Sequence, residues 1–263
     1  MNILEKIVEY KKTEVAQRKS RQSVTQLQQS EFFKKPIYSL KKFLSDDNKT
    51  GIISEFKRKS PSKGIINGNA DVVKVTTAYT ANGASGLSVL TDENFFGGSD
   101  EDLKKARINN IPILRKDFIV DEYQIIESKS LGADVILLIA ACLTIQQVKE
   151  FAACAKEIGL EVLLEIHNEE ELKHICDEVD FVGVNNRNLK TFEVDINTSL
   201  RLIKQIPNDK LAIAESGISN VDTIITLKQA GFKGFLIGEN FMKESDPATA
   251  FEKFSKELKE KIF

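Results

Sequence analysis

The stretch IISEFKRKSPSKG, residues 52–64, begins with the pattern of a buried strand and ends with that of a polar loop. Side chains alternate across a strand, so Ile53, Glu55 and Lys57 share one face, and an acid and a base project from the strand's C-terminal end. Taken alone, these two charges fit a buried ion pair and a catalytic pair about equally well. The same pattern recurs along the chain, which favours the catalytic interpretation.

From Ile52 onward, short apolar runs alternate with amphipathic helical stretches. Eight runs have the length and composition of strands: GIISEF, ASGLSVL, IPILRKDF, ADVILLIA, LEVLLEI, FVGVNN, LAIAES and GFLIG. Eight strands that are each followed by a helix predict an α/β fold of the closed parallel type, the (β/α)8 or TIM barrel. A chain of 263 residues has an ordinary length for one such barrel.

Residues 1–48 precede the first strand and carry a helical pattern. Apolar residues recur at helical spacing from Ile3 to Val15, and a loop falls near Lys35 and Pro36. No Pro-, Gly- or Ser-rich linker separates these helices from the first strand, so we expect them to pack on the barrel. The predicted organisation is a single domain over residues 1–263, of which 1–48 is an N-terminal helical extension.

Capping residues mark the predicted helix boundaries. Asp71 and Asp121 are predicted N-caps, Ser219 with Asp222 is predicted to form a capping box, and Pro247 is predicted to start the last helix. These signals agree with the alternation of strands and helices.

Composition excludes several classes of partner. The chain has 37 basic and 39 acidic residues, a net charge of −2, which predicts neither a nucleic-acid nor a membrane surface. No apolar run approaches the roughly 20 residues of a membrane helix, and the N-terminus lacks a signal-peptide pattern. The three cysteines are widely spaced, which favours reduced thiols in a cytoplasmic protein and no metal site.

Polar side chains recur where the predicted strands end. In a (β/α)8 barrel these ends meet at one face, where the chemistry takes place. A ring of so many charged groups favours an active site over a structural network, because removing them from water costs stability. The ring contains Glu55, Lys57, Lys116, Glu165, Asn185, Glu215 and Ser216.

The ends of the last two strands predict an anion site. Ser216 and Gly217 follow strand 7, and Gly238 and Glu239 follow strand 8, where phosphate-binding barrels present backbone amides. Glycines also end strands for purely geometric reasons. Their position in the count of eight strands favours phosphate binding.

Segments distributed over the whole chain are together similar to one enzyme family. They are EFKRKSPSKG, SVLTDENFFGGS, ILRKDFIVDEYQI, ADVILLIA, LEVLLEIHNEEEL, GVNNRNLKTFEVD, IAESGIS and FLIGENFM. The chain resembles indole-3-glycerol phosphate synthase, the ring-closing enzyme of tryptophan biosynthesis. The resemblance implies a lyase without metal or cofactor that converts 1-(2-carboxyphenylamino)-1-deoxyribulose 5-phosphate to indole-3-glycerol phosphate, carbon dioxide and water.

The resemblance also implies roles for the residues of the ring. Lys116 is the expected acid that protonates the substrate carbonyl, and Glu165 and Lys57, with Glu55 nearby, are expected to serve the loss of water. Glu55, Asn185 and Glu215 are expected to hold substrate hydroxyls and orient the lysines. The division of acid and base tasks among these residues stays open.

The remaining predicted residues contact the two ends of the substrate. Ser60 and Arg187 are expected near its anionic groups. Phe118 and Leu189 are expected to form the apolar slot for its aromatic ring, with Phe95 or Phe96 as further candidates. His167 is interpreted as a capping or surface residue outside the site.

Three alternatives remain. Another phosphate-binding barrel, such as a phosphoribosyl isomerase, would share the glycines but would not require the set Glu55, Lys57 and Lys116. A Schiff-base aldolase needs a neutral lysine, whereas the carboxylates around Lys116 favour a charged one. A sugar-phosphate-binding barrel without lyase activity would tolerate loss of Lys116 and Glu165. The expected partner is a small phosphorylated substrate, and we expect a monomer with at most weak contacts with other enzymes of the pathway.

Overall fold

The computed structural model describes residues 2–46 and 48–262. Eight parallel strands form a closed barrel, in which β1 pairs with β8 and places Ser54 opposite Ile237. The strands are those predicted, so the fold prediction is confirmed. They are β1 Ile52–Phe56, β2 Gly86–Leu90, β3 Ile113–Lys116, β4 Val135–Ile139, β5 Glu161–Ile166, β6 Phe181–Asn185, β7 Leu211–Glu215 and β8 Gly234–Ile237.

The helices surround the barrel and extend it at the N-terminus. α1 Ile3–Arg21, α2 Val24–Gln28 and α3 Leu40–Leu44 precede β1. The others are α4 Val72–Ala81, α5 Glu93–Phe96, α6 Asp100–Ala106, α7 Glu122–Leu131, α8 Ile145–Glu157, α9 Asn197–Leu202, α10 Val221–Ala230, α11 Glu239–Met242 and α12 Pro247–Ile262.

The helix predicted after β5 is present as a 3-10 helix, Glu169–His174. One local prediction differs from the structure. The N-cap of α10 is Asn220, whose side chain accepts from the Thr223 backbone N–H at 2.9 Å, so the capping box predicted from Ser219 is wrong. The predicted N-caps Asp71 and Asp121 are confirmed.

The barrel separates two apolar layers. Alternate strand residues point inward and fill the interior with large aliphatic side chains, as the period of two requires. The other face of each strand packs under the helices and forms the larger outer core. The inner layer contains Ile53, Leu114, Val135, Leu137, Ile139, Leu163, Phe181, Ile213 and Leu236.

Helix α3 closes the lower end of the barrel. Leu40 and Leu44 are buried and belong to the inner apolar layer. Glu161, at the start of β5, accepts hydrogen bonds from the Ser39 hydroxyl at 2.5 Å and from the Leu40 backbone N–H at 2.6 Å. A carboxylate at a helix N-terminus is stabilising, so these bonds anchor α3 on the strand.

Helix α1 is attached to the opposite, upper rim by a buried lysine. The side chain of Lys11 is 1 % exposed, and its Nζ lies 3.0 Å from Asp92 Oδ2, 2.9 Å from Asp117 Oδ1 and 2.9 Å from Glu14 Oε2. Asp117 directly follows β3. This attachment supports the assignment of residues 1–48 and the barrel to one domain, which stays a prediction.

The membrane and cysteine predictions concern the same described residues. Within 2–46 and 48–262 no helix has both the length and the apolar character to cross a bilayer. Cys142, Cys154 and Cys176 are free thiols of intermediate burial.

Candidate active site

A cavity of about 510 Å³ opens at the C-terminal ends of the strands. All fourteen residues predicted for the site line this one cavity. They are Glu55, Lys57, Ser60, Lys116, Phe118, Glu165, Asn185, Arg187, Leu189, Glu215, Ser216, Gly217, Gly238 and Glu239. The structure therefore brings together the residues that sequence reasoning grouped, and their individual roles remain proposals.

Lys116 occupies the centre of the charged ring. Its Nζ donates to Glu215 Oε2 at 2.8 Å and to Glu165 Oε2 at 3.3 Å. Burial favours the neutral amine, but the charges of Glu215, Glu165 and Glu55 outweigh it and raise the pKa of Lys116 above its ordinary value. Lys116 is therefore an ammonium group at neutral pH and has a proton to give.

Glu215 is the carboxylate with the most restricted surroundings. Its side chain is 2 % exposed, and a Cβ on Gly183 would lie 2.2 Å from its Oε1, so a glycine is needed there. Burial, with the charges of Glu165 and Glu55, raises the pKa of Glu215 to about 7 against the opposing effect of Lys116. Its Oε1 has no hydrogen-bond partner among the described residues and has the capacity to accept a hydrogen bond.

Glu55 and Lys57 form the hydrogen-bonded ion pair that their alternation on β1 predicts. Burial would raise the pKa of Glu55, but the ammonium groups of Lys57 and Lys116 outweigh it, and the pKa is lowered. Gly238 lies against the same carboxylate, since a Cβ there would be 2.5 Å from Glu55 Oε1.

Glu165 contacts a cation or a donor on three sides. Asn185 Nδ2 donates to its Oε1 at 3.2 Å, Lys116 contacts its Oε2, and His167 Nε2 lies 3.1 Å from its Oε1. Burial acts to raise the pKa of Glu165, but Lys116 and His167 outweigh it and lower the pKa well below its usual range. Glu165 is therefore a carboxylate throughout the physiological range.

His167 differs from the sequence-based expectation. The side chain is only 10 % exposed and contacts Glu165, so it is neither a surface residue nor a simple cap. The sequence did contain a signal that placed His167 near the site. Glu165 and His167 are two residues apart, as Glu55 and Lys57 are, and residues two apart share one face of a strand.

The aromatic slot lies on one side of the cavity. Phe118 and Phe96 pack with ring centroids 5.9 Å apart and an interplanar angle of 37°. Leu189 lines the same cavity, and its contact with the aromatic ring stays a prediction. Phe95 packs edge-on against Tyr10 and is not among the lining residues. Helix α1 contributes further apolar lining from Ile3, Leu4 and Ile7. Sequence reasoning did not assign these residues to the site, although they belong to the apolar stripe that predicted the helix.

Another part of the cavity lining combines the turn after β7 with two basic side chains. Ser216 and Gly217 have φ of +64° and +76°, a left-handed pair that turns the backbone after β7 into the cavity. Arg187 Nη2 lies 3.1 Å from Glu239 Oε2, and Lys63 Nζ lies 3.4 Å from Glu239 Oε1. An anion that binds here would compete with the Glu239 carboxylate for these cations.

The fold and the site define a class of protein: a (β/α)8-barrel enzyme with an acid–base centre between an apolar slot and a basic end. The comparisons with known proteins identify the family. The family model for indole-3-glycerol phosphate synthase matches residues 4–254, and the chain belongs to this family.

Similar proteins include three from bacteria that bear the name indole-3-glycerol phosphate synthase. One from Bacteroides thetaiotaomicron is 47% identical over 258 residues, which covers 98% of this chain and 99% of the relative. One from Polynucleobacter asymbioticus is 42% identical over 95% of this chain and 97% of the relative. One from Acinetobacter baumannii is 43% identical over 95% of this chain and 94% of the relative.

Proposed function

We propose that this chain closes the five-membered ring of indole. The substrate is 1-(2-carboxyphenylamino)-1-deoxyribulose 5-phosphate, and the products are indole-3-glycerol phosphate, carbon dioxide and water. The observation that carries the proposal is the position of Lys116: a protonated lysine held by Glu165 and Glu215 at the mouth of the barrel, beside an apolar slot.

The first step requires an acid. The aromatic carbon that bears the carboxylate attacks the substrate ketone, and negative charge develops on the carbonyl oxygen. Lys116 protonates that oxygen and gives a hydroxyl group. Its raised pKa keeps the proton available at neutral pH, and the same raised pKa opposes the neutral amine that a Schiff-base aldolase needs.

The later steps restore aromaticity and remove the hydroxyl group. Breaking the bond to the carboxylate releases carbon dioxide and returns its electron pair to the ring. Loss of water then needs an acid for the hydroxyl and a base for the departing proton. Glu165, ionised and lining the cavity, suits the base, and Lys57, in its ion pair with Glu55, suits the acid.

The slot and the basic end orient the substrate. Phe118 and Leu189 contact the aromatic ring, and Asn185 and Glu215 hold the hydroxyls of the sugar chain. The phosphate lies against the amides near Gly217 and Gly238, with Arg187, Ser60 and the backbone N–H of Glu239 at the same end. Holding both ends places the reacting carbons together, which contributes a large share of a rate enhancement.

One assay tests the proposal directly. The chain contains no Trp, so indole fluorescence that appears on adding substrate stands against only the weak emission of four Tyr. We expect a rise with the native chain and none with buffer alone. A folded chain that binds the substrate without a rise in fluorescence would instead be a sugar-phosphate-binding barrel.

We infer a cytoplasmic monomer with at most weak contacts with other enzymes of the pathway. The net charge of −2 and the three free thiols support this inference. Sedimentation equilibrium of the purified chain should give a mass near 29.5 kDa, and a mass of twice that value would contradict the monomer.

A further inference from the structure

His167 lies next to Glu165 and is not among the residues that line the cavity. Its Nε2 is 3.1 Å from Glu165 Oε1, and its Nδ1 is 3.1 Å from Glu171 Oε2. The backbone N–H of His167 donates to that same Glu171 oxygen at 2.8 Å. The ring thus lies between two carboxylates, one that lines the cavity and an outer one that does not. Its contact with Glu165 is an ion pair by distance, and its hydrogen bonds are with Glu171.

The charges around Lys116 show what this ring contributes. The three buried carboxylates Glu55, Glu165 and Glu215 have side chains 5 %, 5 % and 2 % exposed, and they face two ammonium groups, Lys57 and Lys116. An uncompensated buried charge is costly. Glu215, with a pKa of about 7, carries only part of its charge at neutral pH, and a cation beside Glu165 would offset the negative charge that Lys57 and Lys116 leave uncompensated.

The outer carboxylate is satisfied by other means. Glu171, with a side chain 14 % exposed, also accepts a hydrogen bond from the Asn168 amide at 3.1 Å. The thiol of Cys142 is the other titratable group that faces both Glu165 and Glu171, and burial with these two charges raises its pKa to about 12. Cys142 is therefore neutral, and the imidazole supplies the charge on this side of Glu165.

We propose that His167 is a positioning residue that, as an imidazolium, keeps Glu165 ionised and directed toward Lys116 and Asn185. Burial would lower the pKa of His167, but its contacts with Glu165 and Glu171 outweigh this and raise it to about 9. The role of Glu165 as a base rests on the proposed function. The charge of His167 and its contact with Glu165 do not depend on the proposed function, and both can be measured without turnover.

The direct measurement is the titration of the imidazole. The chain has two histidines, so NMR spectra of histidine-labelled protein contain two titrating rings, and His174→Gln assigns the remaining one to His167. We expect a midpoint near pH 9, well above the ordinary value of about 6.5. A midpoint at or below about 6.5 would overturn the proposal, because the ring would then be neutral where the enzyme works.

Two variants test the cause of the raised midpoint. Glu171→Gln and Glu165→Gln each remove one carboxylate from the ring and should each lower the His167 midpoint, since the coupling between two groups is reciprocal. An unchanged midpoint in both would show that neither carboxylate holds the charge, which contradicts the geometry. These spectra also remain informative if a variant has lost all activity.

The pH profile of turnover separates positioning from simple support of the fold. His167→Gln keeps a donor but loses the charge, so Glu165 should take up a proton at higher pH. The part of the acidic limb of kcat/KM that lies below the titration of Glu215 near pH 7 should move upward by about one to two pH units, the effect of one nearby opposite charge. His174→Gln, which removes a ring bonded to backbone oxygens of Glu171 and Leu143, is the matched control and should leave the limb in place.

The outcomes distinguish this proposal from the proposed function. An unshifted acidic limb with uniformly lower activity would make His167 structural and overturn the positioning role. A raised NMR midpoint of His167 together with no ring closure by the native chain would contradict the proposed function. The proposal that His167 is charged would still stand. If His167→Gln does not fold, the titration of the native chain and of Glu171→Gln decides the question.

Discussion

A Cβ placed on Gly238 would lie 2.5 Å from Oε1 of Glu55 and 2.9 Å from its Cβ. The turn after β8 therefore supports an inward carboxylate of β1. From the sequence, Gly238 is expected to admit the phosphate, and a larger residue is expected to crowd the anion. The structure adds a nearer neighbour, because any side chain at this position meets Glu55 first.

Gly238→Ala should consequently impair catalysis more than binding. The added methyl displaces Glu55 and its partner Lys57, and a misplacement of about 1 Å costs on the order of 10²-fold in rate. Steady-state kinetics should show a large fall in kcat. Gly68→Ala is the control, since its Cβ would meet only Ile65 Cγ2 at an ordinary 3.4 Å. A rise in KM and in the phosphate inhibition constant at constant kcat would show instead that the anion is the nearer neighbour.

Lys116→Ala should remove most of the turnover while substrate affinity changes much less. A proton donor acts chiefly in the transition state, and general acid catalysis contributes about 10²–10⁴-fold. Single-turnover kinetics and a separate binding titration measure the two effects. An unchanged kcat would exclude Lys116 as the acid.

Glu165→Gln should lower kcat with the fold intact. The amide keeps the size of the side chain and its bond to Asn185, but it has no basic oxygen for the proton chemistry. Circular dichroism and thermal melting provide the control. An unfolded variant would reclassify Glu165 as a residue that maintains structure.

Glu239→Gln should strengthen inhibition by inorganic phosphate. The carboxylate contacts Arg187 and Lys63, and it repels an incoming anion. Because these groups are partly exposed, the inhibition constant should fall only about two- to fivefold. Glu244→Gln removes the same charge from an exposed position and should leave the constant unchanged. If both variants behave like the native chain, the phosphate binds elsewhere.

Lys11→Ala should destabilise the fold by about 3–5 kcal/mol, because it removes the cation beside the buried Asp92 and one of the two cations beside the buried Asp117. Despite burial, Lys11 and Arg115 lower the pKa of Asp117 to about 2. Because the pKa of Asp117 is lower in the native state than in the unfolded chain, the ionised Asp117 stabilises the native state at pH values above its unfolded-state pKa. This stabilisation is lost as the pH falls through about 2. Without Lys11, Asp117 takes up a proton more readily, so the loss should be largest at neutral pH and should shrink as the buffer approaches pH 4.

Chemical denaturation at several pH values measures this difference. Lys12→Ala is the matched control, since the neighbouring side chain is 59 % exposed and pairs only with Glu9 among the described residues. Equal stability of the two variants at neutral pH would show that the Lys11 contacts contribute nothing net.

The strands and their terminal charges were predictable because both depend on local order. A period of two identifies a strand, and a charge that follows an apolar run identifies its end, as Lys116 and Glu165 illustrate. The unpredicted features depend on packing between distant segments. The contact of Gly238 with Glu55 joins the end of β8 to β1, so no single stretch of sequence contains it. The apolar stripe of α1 predicts a buried helix face, but the position of Ile3 at the rim depends on how α1 packs on the barrel. His167 lay within reach of local reasoning, but a histidine before a helix is more often a cap.

Helix α3 has a consequence for the passage of molecules. Leu40 and Leu44 seal the lower end of the barrel, so substrate and products share the upper cavity formed by the described residues. A new substrate cannot enter while the organic product remains in the cavity, so the two molecules exclude each other. The rate at which the product leaves therefore sets an upper limit on the rate of the catalytic cycle.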